Sequence, residues 1–358
     1  MELKEDEKHF VKNLIKWNKN DNKRVMPWKG EKDPYKIWLS EIILQQTRVD
    51  QGLNYYHRFI VEFPTVKDLA QATETTVFKL WEGLGYYTRC KNLIATAKYI
   101  QDELNGVFPN EYDKILSLKG IGPYTAAAIA SFAYNLPYAV VDGNVYRVLA
   151  RYFGIFTPTD STAGKKKYNE LANRLLDKNN PAAYNQALMD FGAIICKPQI
   201  PLCASCIMNK NCSAFLNNTV QQLPVKEKQI KKKTRWFYYL IVNYEGKVYI
   251  RKRGAKDIWE NLYEFILIET DESMLFEHLP QVKEIFGTTK FEVENISALS
   301  KQLLTHQTIN GQFIGINIKN PISINGFEAV DYEALQKLPF PKLISNYLKD
   351  KNVSLNLF

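Results

Sequence analysis

Four cysteines crowd into the seventeen positions from Cys196 to Cys212, spaced C-x6-C-x2-C-x5-C through Cys203 and Cys206, and no other feature of this 358-residue chain restricts its fold so tightly. Thiolates this close need a common partner. One compact loop can wrap a cluster when each sulfur lies a few residues from the next iron. Zinc is the alternative, but structural zinc sites usually repeat two C-x2-C knuckles and only one such pair is present, which favours iron–sulfur. Met1 leads into Glu2, Lys4, Glu5 and Asp6 with no apolar leader behind it. The chain is therefore expected in a reducing cytoplasm, where a disulfide framework is not. Cys90 stands apart and reads as a buried structural thiol. No run of eighteen apolar residues suggests a membrane span.

The length exceeds one ordinary core, and two textures divide it. From residue 5 to about 217 apolar residues recur at spacings of three and four, as in Phe10, Leu14, Trp17, and glycines and prolines punctuate short helices. Thr65 and Ser161 lie where helix N-caps belong, and Asp142 directly precedes a helical stretch, Val145 to Tyr152. Residues 223–234 are charged and poor in large apolar groups, and they read as a basic linker. Beyond it come β-branched and aromatic runs at 236–244, 247–251, 262–268 and 313–318. Turns are expected at 243–246 and at Asn310-Gly311, and helices near 272–286 and 331–350. The expected architecture is an α-helical domain, residues 1–222, carrying the loop 196–212, followed by an α+β domain, residues 235–358. The net charge of +9 suits a polyanionic partner without identifying one.

Between two helical stretches, Leu118 to Ala126 holds a G-x-G turn at Gly120 and Gly122. Amides at the start of the second helix can hold a phosphate oxygen. With Val141-Asp142-Gly143-Asn144-Val145 and the four-cysteine loop, this hairpin resembles the helix–hairpin–helix DNA glycosylases of the endonuclease III class, over roughly residues 8–215. The resemblance implies a 4Fe–4S cluster on Cys196, Cys203, Cys206 and Cys212, and places Asp142 beside the scissile glycosidic bond. Strand-cleaving members carry a lysine two positions after the second hairpin glycine, to form a Schiff base with the sugar. Tyr124 stands there, so strong lyase activity is not expected.

Pro27-Trp28, the run from Trp38 to Arg48 and the run from Trp81 to Tyr87 look like the adenine DNA glycosylases, the MutY family. In that family Glu41 would be the general acid. Adenine leaves poorly unless its imidazole ring is protonated, and its departure leaves an oxocarbenium-like sugar that a carboxylate stabilises. Glu41 should therefore be protonated and Asp142 charged. The apolar neighbours Trp38, Ile42 and Leu44 suit a raised Glu41 pKa. Tyr124 would assist near the sugar. By the same resemblance Arg24, Trp28 and Gln186 would line the adenine pocket, and Gln46 and Tyr86 would enter the duplex beside the partner base.

The second half resembles, more distantly, the Nudix-like recognition domain of that family, through Arg253-Gly254 and Trp259 to Phe265. The acidic metal-binding helix of Nudix hydrolases has no counterpart in residues 266–280, which implies recognition without pyrophosphate hydrolysis. Leu304-Thr305-His306 falls where the family reads 8-oxoguanine, with leucine replacing an aromatic residue. The expectation is a monomeric, nucleoid-associated enzyme. It would excise adenine opposite 8-oxoguanine or guanine from double-stranded DNA without cutting the strand. An oxidised-pyrimidine glycosylase/lyase and a non-catalytic binder of damaged DNA are the alternatives.

Overall fold

The computed structural model describes residues 3–227, 232–255 and 257–350. They divide into two compact units, residues 1–70 with 95–229 and residues 71–94 with 230–358. The expected linker is only partly visible, because 228–231 lie outside the described residues. In chain order the helices of the first 227 residues are α1 (Glu5–Asn20), α2 (Pro34–Leu44), α3 (Val49–Glu62), α4 (Val66–Gln71), α5 (Glu74–Trp81), α6 (Tyr87–Glu103), α7 (Tyr112–Leu116), α8 (Pro123–Tyr134), α9 (Gly143–Phe153), α10 (Thr162–Leu175), α11 (Pro181–Ile194) and α12 (Ser213–Leu216). Among the described residues no helix is long and apolar enough to cross a membrane.

The caps explain where these helices begin. Asp33 accepts from the Tyr35 amide ahead of Pro34, Ser161 from the Gly164 amide, and Asp142 from the Val145 amide. Around α9 the first unit buries one core: Phe10, Leu14 and Trp17 of α1 meet Val145, Val148 and Tyr152 of α9 and Leu188 and Phe191 of α11. Residues 145, 148 and 152 share one helical face. The opposite side of α9 carries two buried arginines, Arg147 and Arg151. Helix α2 differs: eight of its eleven residues are buried, so it is enclosed on nearly every side rather than amphipathic. It packs against α8, whose Ala126, Ala127, Ala128 and Ala130 let the backbones approach.

The second unit is built on a seven-stranded sheet: β1 (Lys233–Tyr244), β2 (Lys247–Lys252), β3 (Tyr263–Thr270), β4 (Phe291–Ile296), β5 (Ser300–Leu303), β6 (Gln307–Ile318) and β7 (Glu328–Val330). The order is β4-β6-β1-β3-β2-β7, with β5 also pairing β6. Among the described residues only β1 and β6 run parallel. These two long strands are buried on both faces. Tyr238, Leu240 and Val242 face a cluster with Phe276 and Phe286, whereas Tyr239 stacks on Phe313, and Phe313 on Tyr347.

Three expectations are corrected here. Asn310-Gly311 is not a turn but lies inside β6, paired with Trp236 and Phe237. The glycine serves close packing, since a Cβ there would stand 2.5 Å from Leu343 Cδ2. The single helix expected over 331–350 is two, α14 (Tyr332–Lys337) and α15 (Lys342–Lys349), because Pro339 and Pro341 fall between them. Residues 272–286 hold only a 3-10 turn at Phe276–His278 and α13 (Gln281–Phe286), again divided by a proline, Pro280.

Candidate active site

Glu41 is 6% exposed despite its charge, because α2 is enclosed. Its Oε2 accepts a 2.6 Å hydrogen bond from the hydroxyl of Tyr124, in the first turn of α8. Desolvation raises the Glu41 pKa to about 7; the Tyr124 hydrogen bond opposes the rise and the nearby charge of Asp142 adds to it. Half of such a carboxyl keeps its proton at neutral pH.

Asp142 is the N-cap of α9, and burial raises its pKa as well. Its oxygens, however, accept from the Val145 amide at 2.7 Å and from Asn144 Nδ2 at 2.6 Å. These bonds and the charge of Arg147 favour the anion. Two acids are thus brought into one field with different partners, a hydroxyl for Glu41 and amide donors at a helix N-terminus for Asp142.

Asn144 and Arg147, which the sequence reading missed, continue from Asp142. Arg147 donates to Asn144 Oδ1 at 2.8 Å, to Gly192 O at 2.7 Å and to Cys196 O at 2.7 Å. Gly192 is required for this approach of α11 to α9, since a Cβ would meet Asn144 Cβ at 2.6 Å. One turn on, Arg151 reaches Cys196 Sγ at 3.5 Å and Lys197 O at 2.7 Å. Cys196, Cys203, Cys206 and Cys212 line one cavity, walled by apolar groups that include Val148, Tyr152 and Phe191. Among the described residues no three His, Cys, Asp or Glu side chains converge as a single metal ion requires. Cys90 is fully buried elsewhere.

A cavity of about 360 Å³ opens beside Glu41, lined by Trp28, Lys29, Ser40, Phe132 and Gln186 among others. Two of the three expected pocket residues, Trp28 and Gln186, are therefore on its wall. Arg24 is not; its guanidinium is paired with Asp190 at 2.8 Å. In the hairpin, Gly120 takes φ +78° and the Lys119 carbonyl is held by Thr96 Oγ1 at 2.8 Å. The space beside Gly122, N-cap of α8, is open. Gln46 follows α2 exposed, at φ +54°.

In the second unit Tyr86 takes φ +49° directly after two positive-φ glycines, Gly83 at +88° and Gly85 at +82°. Its hydroxyl lies 2.6 Å from Thr305 Oγ1, 219 residues away. Thr305 and the exposed His306 form the short connection from β5 to β6. The Arg89 guanidinium stands over the Tyr86 and Trp81 rings at 5.2 and 5.4 Å. In strand β3, Glu264 and Glu269 are paired to arginines.

Residues 39–175 match the HhH-GPD superfamily of base excision DNA repair proteins, and residues 237–350 match the NUDIX domain. A thermostable thymine-DNA glycosylase of known structure is 32% identical and superposes with a TM-score of 0.55, covering 59% of this chain and 97% of that one. A trapped endonuclease III–DNA covalent intermediate, 20% identical with a TM-score of 0.53 over 61% of this chain and 99% of that one, shares the fold. Hairpin, capped aspartate and helical core together define a DNA N-glycosylase. An adenine DNA glycosylase of Buchnera aphidicola subsp. Baizongia pistaciae is 36% identical over 324 residues, 88% of each chain. This chain belongs to the adenine DNA glycosylase family.

Proposed function

We propose that the chain hydrolyses the N-glycosidic bond of adenine in duplex DNA, with adenine opposite 8-oxoguanine or guanine, and leaves the strand uncut. The observation that carries this reading is Glu41, a carboxyl held near neutrality by burial at the wall of a base-sized cavity, with Asp142 in its field. A flipped adenine in that cavity receives the Glu41 proton on its imidazole ring and departs neutral. Asp142 stabilises the positive charge that develops on the sugar until water adds. Tyr124 holds Glu41 Oε2 in place and, having no amine, forms no Schiff base.

The cysteine cavity fits a 4Fe–4S cluster on Cys196, Cys203, Cys206 and Cys212. The sulfurs of Cys196 and Cys206 already lie near donors that suit thiolates, Arg151 Nη1 at 3.5 Å and the Met208 amide at 3.4 Å. A bound cluster would staple the loop that Arg147 and Arg151 grip, as a structural and DNA-docking element. The purified protein should then be straw-brown, and a colourless protein with stoichiometric zinc would overturn the assignment. Phosphate contacts fall to the hairpin at Gly120 and Gly122, and reading of the partner base to Gln46, Tyr86, Thr305 and His306. The enzyme would act as a monomer in the cytoplasm, on the nucleoid.

Single-turnover excision on duplexes with adenine opposite 8-oxoguanine, guanine or thymine tests the proposal, with abasic sites cleaved afterwards by alkali. Fast release for the first, slower for the second and none for the third is the expected order. Absence of adenine release from all three, or strand scission before alkali, would overturn it.

A further inference from the structure

Asp190, on α11 one turn beyond Gln186, is wholly buried, and no motif singles it out. Its carboxylate accepts four side-chain hydrogen bonds. Oδ1 takes Arg24 Nη1 at 2.8 Å and Gln186 Nε2 at 2.9 Å. Oδ2 takes Asn22 Nδ2 at 2.9 Å and Lys29 Nζ at 3.0 Å. Asn22, Arg24 and Lys29 belong to the irregular segment between α1 and α2, which also carries Trp28. Lys29 further donates to the Arg24 carbonyl at 3.0 Å. One carboxylate thus fastens a loop without secondary structure to the helix that carries Gln186, and the base cavity lies between them.

The chemistry of the hub constrains more than position. An ionised carboxylate accepts and cannot donate, so Gln186 must turn its NH2 toward Asp190. Its carbonyl Oε1, without a protein partner among the described residues, is then the polar group left for the cavity that Gln186 lines. An acceptor there matches an exocyclic amino group and opposes a carbonyl. Adenine has a 6-amino group, whereas hypoxanthine and guanine present a 6-oxygen.

We infer that Asp190 is a specificity-determining positioning residue: by locking the polarity of the Gln186 amide, it makes the pocket select 6-amino over 6-oxo purines. The inference rests on the adenine reading above. Asparagine at 190 can present either a carbonyl or an NH2, so it releases the lock.

The test is single-turnover excision, opposite 8-oxoguanine, of adenine, of unsubstituted purine and of hypoxanthine, by the wild-type enzyme and by Asp190→Asn. The variant should lose about 10²-fold on adenine, the size of loss that small misplacements cause. Its loss should be smaller on purine, which has no 6-amino group to bind, and its preference for adenine over hypoxanthine should fall at least about tenfold. An equal loss on all three bases would mean that Asp190 only supports the fold, and would overturn the inference. If Asp190→Asn does not fold, Gln186→Leu carries the test, since it removes the selecting carbonyl while the other three bonds to Asp190 remain. It must narrow the same preference, and an unchanged preference sinks the proposal. A wild-type enzyme that releases no adenine defeats the functional reading and this one together; normal release with unaltered selectivity in the variants defeats this one alone.

Discussion

Both units pair buried acids with cations, as Glu7 with Arg174 at 2.7 Å in the helical unit, but the helical unit leaves Glu41 out of that pattern. In the sheet of the second unit Glu264, 1% exposed, is gripped by Arg253 and by Arg251 at 2.9 Å. Arg235 binds Asp257 at 2.8 Å and Glu269 at 2.6 Å. The Arg235 hydrogen bonds hold the Asp257 pKa below its ordinary value. In the helical unit Glu41 is just as enclosed but meets only a hydroxyl, and its pKa rises to about 7. Burial is therefore not what marks a reacting acid. The mark is burial without a cation, which leaves the proton transferable. Asp190 is the instructive comparison, since it sits in the helical unit with Glu41 but is paired with Arg24 and Lys29, and it is assigned to positioning rather than to chemistry.

Substitutions can break this contrast. The largest effect should come from Glu41→Gln, which keeps the hydrogen bond from Tyr124 and removes the acid. Excision should fall by about 10²–10⁴-fold, as loss of a general acid does, with affinity for mispaired duplex retained in a binding titration. Ordinary turnover by that variant would remove Glu41 from the chemistry.

Stability should move in opposite directions in the two units. Glu264→Ala takes the buried partner from Arg253 and leaves it only Asp257 at 2.8 Å, at a cost of about 1–3 kcal/mol in denaturant unfolding of the second unit. Glu41→Gln should stabilise the protein at pH 8. The folded pKa of Glu41, about 7, lies above its unfolded value near 4.5. Wild-type stability from this group is therefore complete below pH 4.5 and is lost as pH rises through 7, by up to about 3 kcal/mol. Glutamine escapes that loss, so the gain should vanish by about pH 4.5. Melting curves for both variants at the two pH values check the signs, and a destabilised Glu41→Gln at pH 8 would refute the idea of an uncompensated acid.

A smaller effect is expected at the Tyr86–Thr305 contact. Tyr86→Phe keeps the ring and deletes one neutral hydrogen bond, worth about 1 kcal/mol. Preference for 8-oxoguanine over guanine as partner should drop by about fivefold or less. A larger collapse would mean that the hydroxyl reads the base directly.

How much of this was legible beforehand depends on the range over which each cause acts. Asp142 could be read as a cap because its partners lie two and three residues on, whereas Glu41 was singled out by the family resemblance, its apolar neighbours only suiting a raised pKa. The cysteines announce a shared ligand by spacing alone. Asp190 was invisible because three of its four partners lie 161 to 168 residues away, on a loop with no periodicity. The pairing of Arg24 with Asp190 was hidden for the same reason, since nothing local shows which way its guanidinium faces. Asn310-Gly311 misled because a glycine placed for contact with Leu343 carries the same letters as a hairpin turn.

The central claim is that burial keeps Glu41 protonated for transfer to the base. The direct measurement is the pH dependence of single-turnover adenine excision opposite 8-oxoguanine, from pH 5.5 to 9. The rate should be level on the acid side and fall as pH rises through about 7, approaching tenfold per unit. A rate that stays constant or rises from pH 6 to 9 would contradict the account, because the acid it assigns would then be working without its proton.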